Sequence, residues 1–302
     1  MTLDELDTFV AIARSGSFTE ASRRLARSQP AISRRIRQLE ASLGATLFRR
    51  EGRTVRLSEA GETLLPHAEA ALAAVEDGTR AVEAAGRGKG PARLRLAVVG
   101  TLADSHLVEA LRETERRFPE ARVEVMTATS REVSAAVRAG SADLGLRYFA
   151  DGDARLTSIR LGAERLPLVI PSGHRLVQKQ LRRLDKLAAE RWLGFPPERG
   201  QTESLGHQLL RTVAAAGSDP SKITIVDSLT AQKRLVEAGL GVALIPRSAI
   251  REELRAGRLR TIELPTLGLE QSVVAVRRSR ATPTELEAAF LDLLRNASTE
   301  LA

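Results

Sequence analysis

The order of apolar and polar positions divides the chain before any other property does. Leu3, Leu6, Phe9, Val10 and Ala13 fall on one helix face, and Gly16 is placed to end that helix. Ser17 and Glu20 form an S-x-x-E pair that predicts the start of a second helix, with Ala21 and Leu25 four apart on its inner side. Ala26-Arg27-Ser28 reads as a tight turn and Ser28 as the cap of a third helix. Pro30 sits in that helix's first turn, where its missing N–H is harmless. Ile32, Ile36, Leu39 and Leu43 then make one narrow apolar stripe. Beyond Gly44 the period drops to two. Val55 and Leu57 alternate with Thr54 and Arg56, and Glu51-Gly52 marks a turn, which predicts a hairpin.

Over residues 58–85 the helical period returns. Leu65, Ala68, Leu72, Val75, Thr79 and Val82 follow the three-and-four spacing of a coiled-coil seam, along a helix of about 42 Å at ~1.5 Å per residue. Nothing adjacent in sequence is placed to cover that seam along its length, which predicts pairing with a second copy. Gly78 interrupts it, costing roughly 1 kcal/mol relative to Ala. Gly86, Gly88, Gly90 and Pro91 follow as a hinge.

From Arg93 strands and helices alternate. Leu94, Leu96 and Val98 predict a strand, Leu107, Leu111 and Phe118 a helix stopped by Pro119, and Val123 and Val125 the next strand. Thr129 and Glu132 form a capping box for a helix ending at Gly140, and residues 142–146 a strand ending at Arg147. A similar unit starts near Leu166, with strands at 168–170, 192–195, 223–226 and 242–245 and helices opening at Thr202 and Ser228. A late strand at 272–277 and a last helix opened by Thr282-Pro283-Thr284-Glu285 are expected to return to the first unit. This alternation predicts an α/β class with covered parallel sheets. The expected division is a head at 1–57, a linker helix and hinge at 58–90, and a body at 91–302. Within the body, lobe I takes about 91–164 and 269–302, and lobe II about 165–268.

Charge changes the picture of the head. The chain carries a net +8, and its first 57 residues hold eleven arginines, no lysine and six acids, a surplus of five. A basic head on a nearly neutral body suggests nucleic acid. The polar arc of the third helix holds Pro30, Ser33, Arg34, Arg37 and Gln38, with Ser28 and Gln29 at its tip. Arg can bridge guanine O6 and N7, Gln can bridge adenine, and the helix start can take a phosphate. A solvated amphipathic helix would look similar alone. The bracing first helix and a hairpin carrying Arg49, Arg50, Arg53 and Arg56 favour DNA, with Arg53 on the phosphates or in the minor groove.

Other classes are poorly served. Cysteine is absent, so neither disulfides nor thiolate metal sites are available. No run approaches 18 apolar residues, and Asp4, Glu5 and Asp7 break the basic-then-apolar order of a signal peptide. A soluble, cytoplasmic chain without a membrane partner is expected. His67, His106, His174 and His207 lack ligand or triad spacing, and His106 beside Ser105 packs or caps more readily than it catalyses. No enzyme activity, cofactor or metal is expected.

The runs F-T-E-A-S-R-R-L-A-R-S-Q-P-A-I-S-R-R-I-R-Q-L-E-A-S-L-G-A-T-L-F-R-R, L-S-E-A-G-E and A-G-L-G-V-A-L-I-P resemble those of LysR-type transcriptional regulators, over essentially the whole length. The resemblance implies an all-α winged helix-turn-helix head, a dimerising linker helix, and two Rossmann-like effector lobes similar to periplasmic binding proteins. It implies a homodimer or a homotetramer built as a dimer of dimers, nucleoid-associated, that controls promoters through a small ligand and recruits or blocks RNA polymerase. In that family the effector lies between the lobes, and the matching positions here are Thr101, Thr129, Thr202 and Ser228. Hydroxyls beside backbone N–H groups at helix starts suit an anion, although each also suits a plain cap. Arg147, at a strand end, is the candidate partner for a carboxylate. The segment P-P-E-R-G-Q at 196–201 departs from the small Gly/Ser-rich loop common there. The rival expectation is a constitutive DNA-binding regulator with a non-responsive effector domain.

Overall fold

Helices α1 (Leu3–Ser15), α2 (Phe18–Arg24) and α3 (Gln29–Leu43) and a hairpin of β1 (Phe48–Glu51) and β2 (Thr54–Leu57) form the head. The computed structural model describes residues 1–51, 54–85, 92–103, 105–177, 184–197, 204–264, 267 and 269–298. Local chemistry sets the helix starts. Thr2 and Glu5 form a full capping box on α1, a signal the apolar pattern does not carry. Ser17 caps α2 through the Glu20 N–H, but the Glu20 carboxylate turns to Arg23 at 3.2 Å, so only half of the predicted box forms. Ser28 accepts from the Ala31 N–H and starts α3 as expected.

Phe9, Ile12, Ile32 and Leu39 are fully buried, with Ala21 and Ile36 beside them. Leu43, expected to complete the stripe, is 42% exposed, because α3 outruns the core by its last turn. Phe48 packs its ring 5.3 Å from Phe9 and 5.8 Å from Phe18, which seats the hairpin on α1 and α2. The Glu40 carboxylate accepts from the Leu47 N–H at 2.7 Å, tying the hairpin to α3.

The linker helix α4 (Glu59–Ala85) starts where Ser58 accepts from the Gly61 N–H. Gly61 allows the close approach of α4 to the wing, since a Cβ there would collide with the Leu47 carbonyl oxygen. The seam predicted for this helix is shared between partners. Leu65, Ala68 and Leu72 pack on the head, while Val75, Thr79 and Val82 are exposed. The intervening face meets the body: Ala73 is buried against Gly140, where a Cβ would collide with it. Asp77 takes a two-pronged bond from Arg278 at 2.6 and 2.8 Å. The neighbouring Glu76 lies 3.0 Å from Arg95, which also grips the fully buried Asp143 at 2.7 Å.

The body runs β3 (Arg93–Val99), α5 (Ser105–Arg117), β4 (Arg122–Ala128), α6 (Ser130–Arg138), β5 (Leu144–Tyr148) and β6 (Leu156–Arg165). It continues through β7 (Leu168–Pro171), β8 (Trp192–Gly194), α7 (Leu205–Ala215), β9 (Ile223–Ile225), α8 (Leu229–Glu237) and β10 (Val242–Leu244). The last elements are α9 (Arg251–Arg255), β11 (Leu259–Ile262), β12 (Glu270–Arg278) and α10 (Glu285–Ser298). Two five-stranded sheets result, ordered β4-β3-β5-β12-β6 and β11-β7-β10-β8-β9. The chain therefore crosses between sheets after β6 and returns before β12, as the late strand and helix suggest.

Neither sheet is wholly parallel. In the first, β12 runs antiparallel to β5 and β6, and in the second β7 runs antiparallel to β10 and β11. The pattern does not predict β6, α9 or β11, and it starts α7 too early. Its start residue Thr202, like Arg53 and the hinge residues 86–91, lies outside the described residues. Each sheet carries its own core, around Leu94, Leu96, Leu144 and Phe290 in one and Leu168, Trp192 and Leu244 in the other.

Candidate functional site

The head offers one polar face on a rigid back. Ser28, Gln29, Pro30, Arg34 and Arg37 are exposed along α3, and Ser33 is half-buried. Beneath them Ile32, Ile36 and Leu39 lock the helix onto α1. Arg35 is diverted from that face by its 2.9 Å bond to Asp4 and braces α3 instead. The turn between α2 and α3 holds Ala26 at φ 50°, a left-handed conformation that disfavours a Cβ. In the hairpin Arg49 stands opposite Arg56, both exposed. Like charges at directly paired positions repel.

Between the two sheets of the body lies a cleft of about 910 Å³, in the ~300–1,000 Å³ range of small-molecule sites. It opens at the C-terminal ends of β3, β4, β5, β8 and β9, where side chains of separate strands and following helix starts converge. Thr101 lies in its wall, 3% exposed, with its hydroxyl 2.8 Å from the Tyr148 hydroxyl. Tyr148 donates to Glu164 at 3.2 Å, and Ser248 donates to the other Glu164 oxygen. This buried chain joins the first sheet to the turn at Arg247–Ile250 beside the second. A second link crosses nearby, where Arg251 Nη2 meets His106 Nε2 at 2.6 Å.

Thr129 and Ser228 also line the cleft, each as a helix cap. Thr129 completes its predicted box with Glu132. The backbone N–H and hydroxyl of Thr129 hold the Glu132 carboxyl below its ordinary pKa, against a smaller opposing effect of burial. Ser228 accepts from the Ala231 N–H at 3.3 Å.

Arg147 does not reach the cleft. Its guanidinium is buried on the α6 side of β5, bonded to Asp151 and Ser134 at 2.5 Å each and to the Tyr148 carbonyl at 3.1 Å. Successive strand side chains point to opposite faces, so with Tyr148 turned to the cleft, Arg147 must turn away. Residues that line the cleft without any local signal include Tyr148, Phe149, Lys233, Ser248 and Arg251. Phe149 holds φ 58° directly after β5. Phe195, across the cleft, follows β8. Among the described residues no cluster of three or more His, Cys, Asp or Glu could hold a metal, and no helix is long and apolar enough to cross a membrane.

Comparison with known proteins bears on both regions. Residues 3–62 match the family described as bacterial regulatory helix-turn-helix protein, lysR family, and residues 87–299 match the LysR substrate binding domain. The chain belongs to the LysR family. An HTH-type transcriptional regulator of Mycobacterium tuberculosis is 31% identical to this regulator over 97% of this chain and 95% of its own. The HTH-type transcriptional regulator CbbR of Rhodospirillum rubrum is 30% identical over 96% and 95%. A full-length OxyR from Pseudomonas aeruginosa, carrying a cysteine-to-aspartate substitution, shares the fold, with a TM-score of 0.75 at 22% identity over 98% of each chain. CbnR complexed with its target DNA matches with a TM-score of 0.64 at 25% identity, over 98% of this chain and 100% of that one. This LysR-type protein is thus a transcriptional regulator with a DNA-binding helix-turn-helix and an effector-binding domain.

Proposed function

We propose that the regulator reads promoter DNA with Ser28, Gln29, Pro30, Ser33, Arg34 and Arg37 of α3 and holds phosphates with the wing arginines, Arg53 among them. The observation that carries this is the exposed Gln and Arg face backed by buried Ile32, Ile36 and Leu39. Arg34 gives base discrimination worth about 1–3 kcal/mol, and wing arginines give affinity that falls with salt. Mobility shifts of Arg34→Ala and Arg49→Ala on matched and mismatched operators test the division. Arg34→Ala narrows the gap between operators, and Arg49→Ala lowers both alike. Equal losses in Arg34→Ala would mean that another face reads the bases.

The same reading puts a small effector in the cleft, its anionic end on the helix starts near Thr101, Thr129, Thr202 and Ser228. Support comes from the cleft's size and from strands and helix starts of both lobes converging on it. The body then acts as a two-state switch. Lobe I moves with α4 because Arg278 and Arg95 tie Asp77, Glu76 and Asp143 together. Lobe II moves against it, altering the spacing of the DNA heads and the bend of the promoter. The divisions 1–57, 58–90 and 91–302 are the working units of this scheme. The exposed Val75, Thr79 and Val82 are the contact for a homodimer, two of which pair as a tetramer. The cytoplasm, the nucleoid and RNA polymerase are its setting, and no cofactor takes part.

Thermal melting of the full chain with candidate metabolites tests the cleft, since a ligand at about 100 times its Kd adds about 2.7 kcal/mol. A stabilising metabolite that leaves DNA affinity unchanged would count for a constitutive regulator.

A further inference from the structure

The lobe II wall of the cleft holds a polar pair whose hydrogen bonding is incomplete. Lys233 on α8 lies 2.8 Å from Glu253 on α9 and donates to the Ala249 carbonyl at 3.2 Å. An ammonium has three N–H donors, so two contacts leave one for a ligand. Glu253 is 5% exposed, and its Oε2 is buried and meets no donor among the described residues. Both side chains line the cleft. A buried carboxylate oxygen without a donor is a standing penalty that a ligand N–H can remove.

The neighbourhood says what kind of ligand fits. Lys233 follows Thr230 by three residues, so both share the helix face at the start of α8 that Ser228 caps, and both line the cleft. That start favours a carboxylate. On the α9 side Glu252 stands at the cleft beside Glu253. Across the described lining residues five carboxylates face three cations. A plain polyanion would meet this surplus of negative charge, and a plain amine would meet Lys233 and the positive end of α8.

We propose that the effector carries a protonated amine next to a carboxylate, as an α-amino acid does. The carboxylate sits on the start of α8 and accepts from Lys233, and the ammonium donates to the Glu253 carboxylate, which rotates to meet it. This assignment rests on the cleft being the effector site and narrows the anionic ligand considered above to an amphoteric one.

The experiment is thermal melting and calorimetric titration of the full chain with matched probes. These are the common amino acids and their deamino counterparts, for example L-glutamate beside glutarate, L-aspartate beside succinate and L-norvaline beside pentanoate. At least one amino acid should bind at least about tenfold tighter than its deamino partner, because a site built for a donor rejects the analogue that lacks it. Glu253→Gln, which keeps shape and removes charge, should collapse that preference. Lys233→Met should weaken binding of the amino acid. Apo melting curves and operator affinity of both variants report whether they fold. If every deamino acid that binds does so as tightly as its amino partner, the assignment is overturned while the cleft stands as the effector site. Persistence of the preference in a folded Glu253→Gln variant also overturns it. Silence of both probe sets at millimolar concentration counts against the assignment and against the cleft together.

Discussion

Arg34 on α3 and Arg147 on β5 make an instructive pair. Each is an arginine that the linear pattern assigns to a functional face, one toward DNA and one toward a ligand. Arg34 stands exposed on the polar arc of its helix, while Arg147 is buried and held by Asp151, Ser134 and a backbone carbonyl. On a helix the apolar stripe at three-and-four spacing fixes which way every other side chain points. A short strand buried on both faces, as all five residues of β5 are, gives no such polarity. Leu144, Leu146 and Tyr148 take one covered face and Gly145 and Arg147 the other, and only the neighbouring elements decide which side becomes a site.

The sharpest test of that contrast is Arg147→Ala. A cleft residue would lose ligand response with little change in stability. A buried ion-pair partner should instead destabilise the chain by roughly 3 kcal/mol, because Asp151 keeps only the more distant Arg138 at 3.9 Å and the buried Ser134 and Tyr148 carbonyl lose their donor. Chemical denaturation measures this, and a change under about 1 kcal/mol would return Arg147 to the cleft's ligand contacts. Arg34→Ala should do the reverse. Its melting curve should stay within about 0.5 kcal/mol of the parent, while discrimination between operators falls by about 1–3 kcal/mol. If Arg34→Ala unfolds the head, the two arginines are alike after all.

A smaller effect separates the two regions by backbone strain. Ala26→Gly relieves a left-handed alanine in the turn before α3 and should stabilise the head by about 1 kcal/mol, read as a higher melting temperature. Phe149→Gly relaxes a similar backbone but removes an aromatic wall of the cleft, so ligand affinity should fall. A higher affinity in Phe149→Gly would mean that the ring obstructs the site.

The smallest effect concerns the loop after β5. Arg155 bonds to Asp153, with the nearby Arg138 adding to it, and holds the Asp153 carboxyl down to about 2. A carboxyl lowered in the folded state contributes stability that is complete above its unfolded value of about 4 and is lost as the pH falls toward 2. Arg155→Ala should raise the Asp153 value in an NMR titration, though Arg138 keeps it below the ordinary one, and should flatten the acid side of the stability profile. An unshifted titration would show that Arg138 alone carries the effect. Arg155 is half exposed, so at neutral pH the loss of stability is slight.

Much of this protein is legible from residues a few positions apart. The Thr129–Glu132 box, the Ser28 cap, the Ile32–Ile36–Leu39 stripe and the basic hairpin involve neighbours along the chain, and local hydrogen bonds and burial periodicity are enough to determine them. The crossing of the chain between two sheets is also foreshadowed, by the late strand and helix that have no partner in the second unit. Tertiary structure alone decided the rest. It inserted β12 antiparallel between β5 and β6, and it divided the seam of α4 between the head and an exposed stretch while lobe I took the adjacent face at Ala73, Glu76 and Asp77. It also brought Thr101, Tyr148, Glu164 and Ser248 into one buried chain across the lobes. Lys233 and Glu253 meet for the same reason: β10 and the turn after it carry the chain back, so that α9 reaches α8. A polar side chain's partner at that distance is chosen by which elements share a wall, and no spacing along the sequence records it.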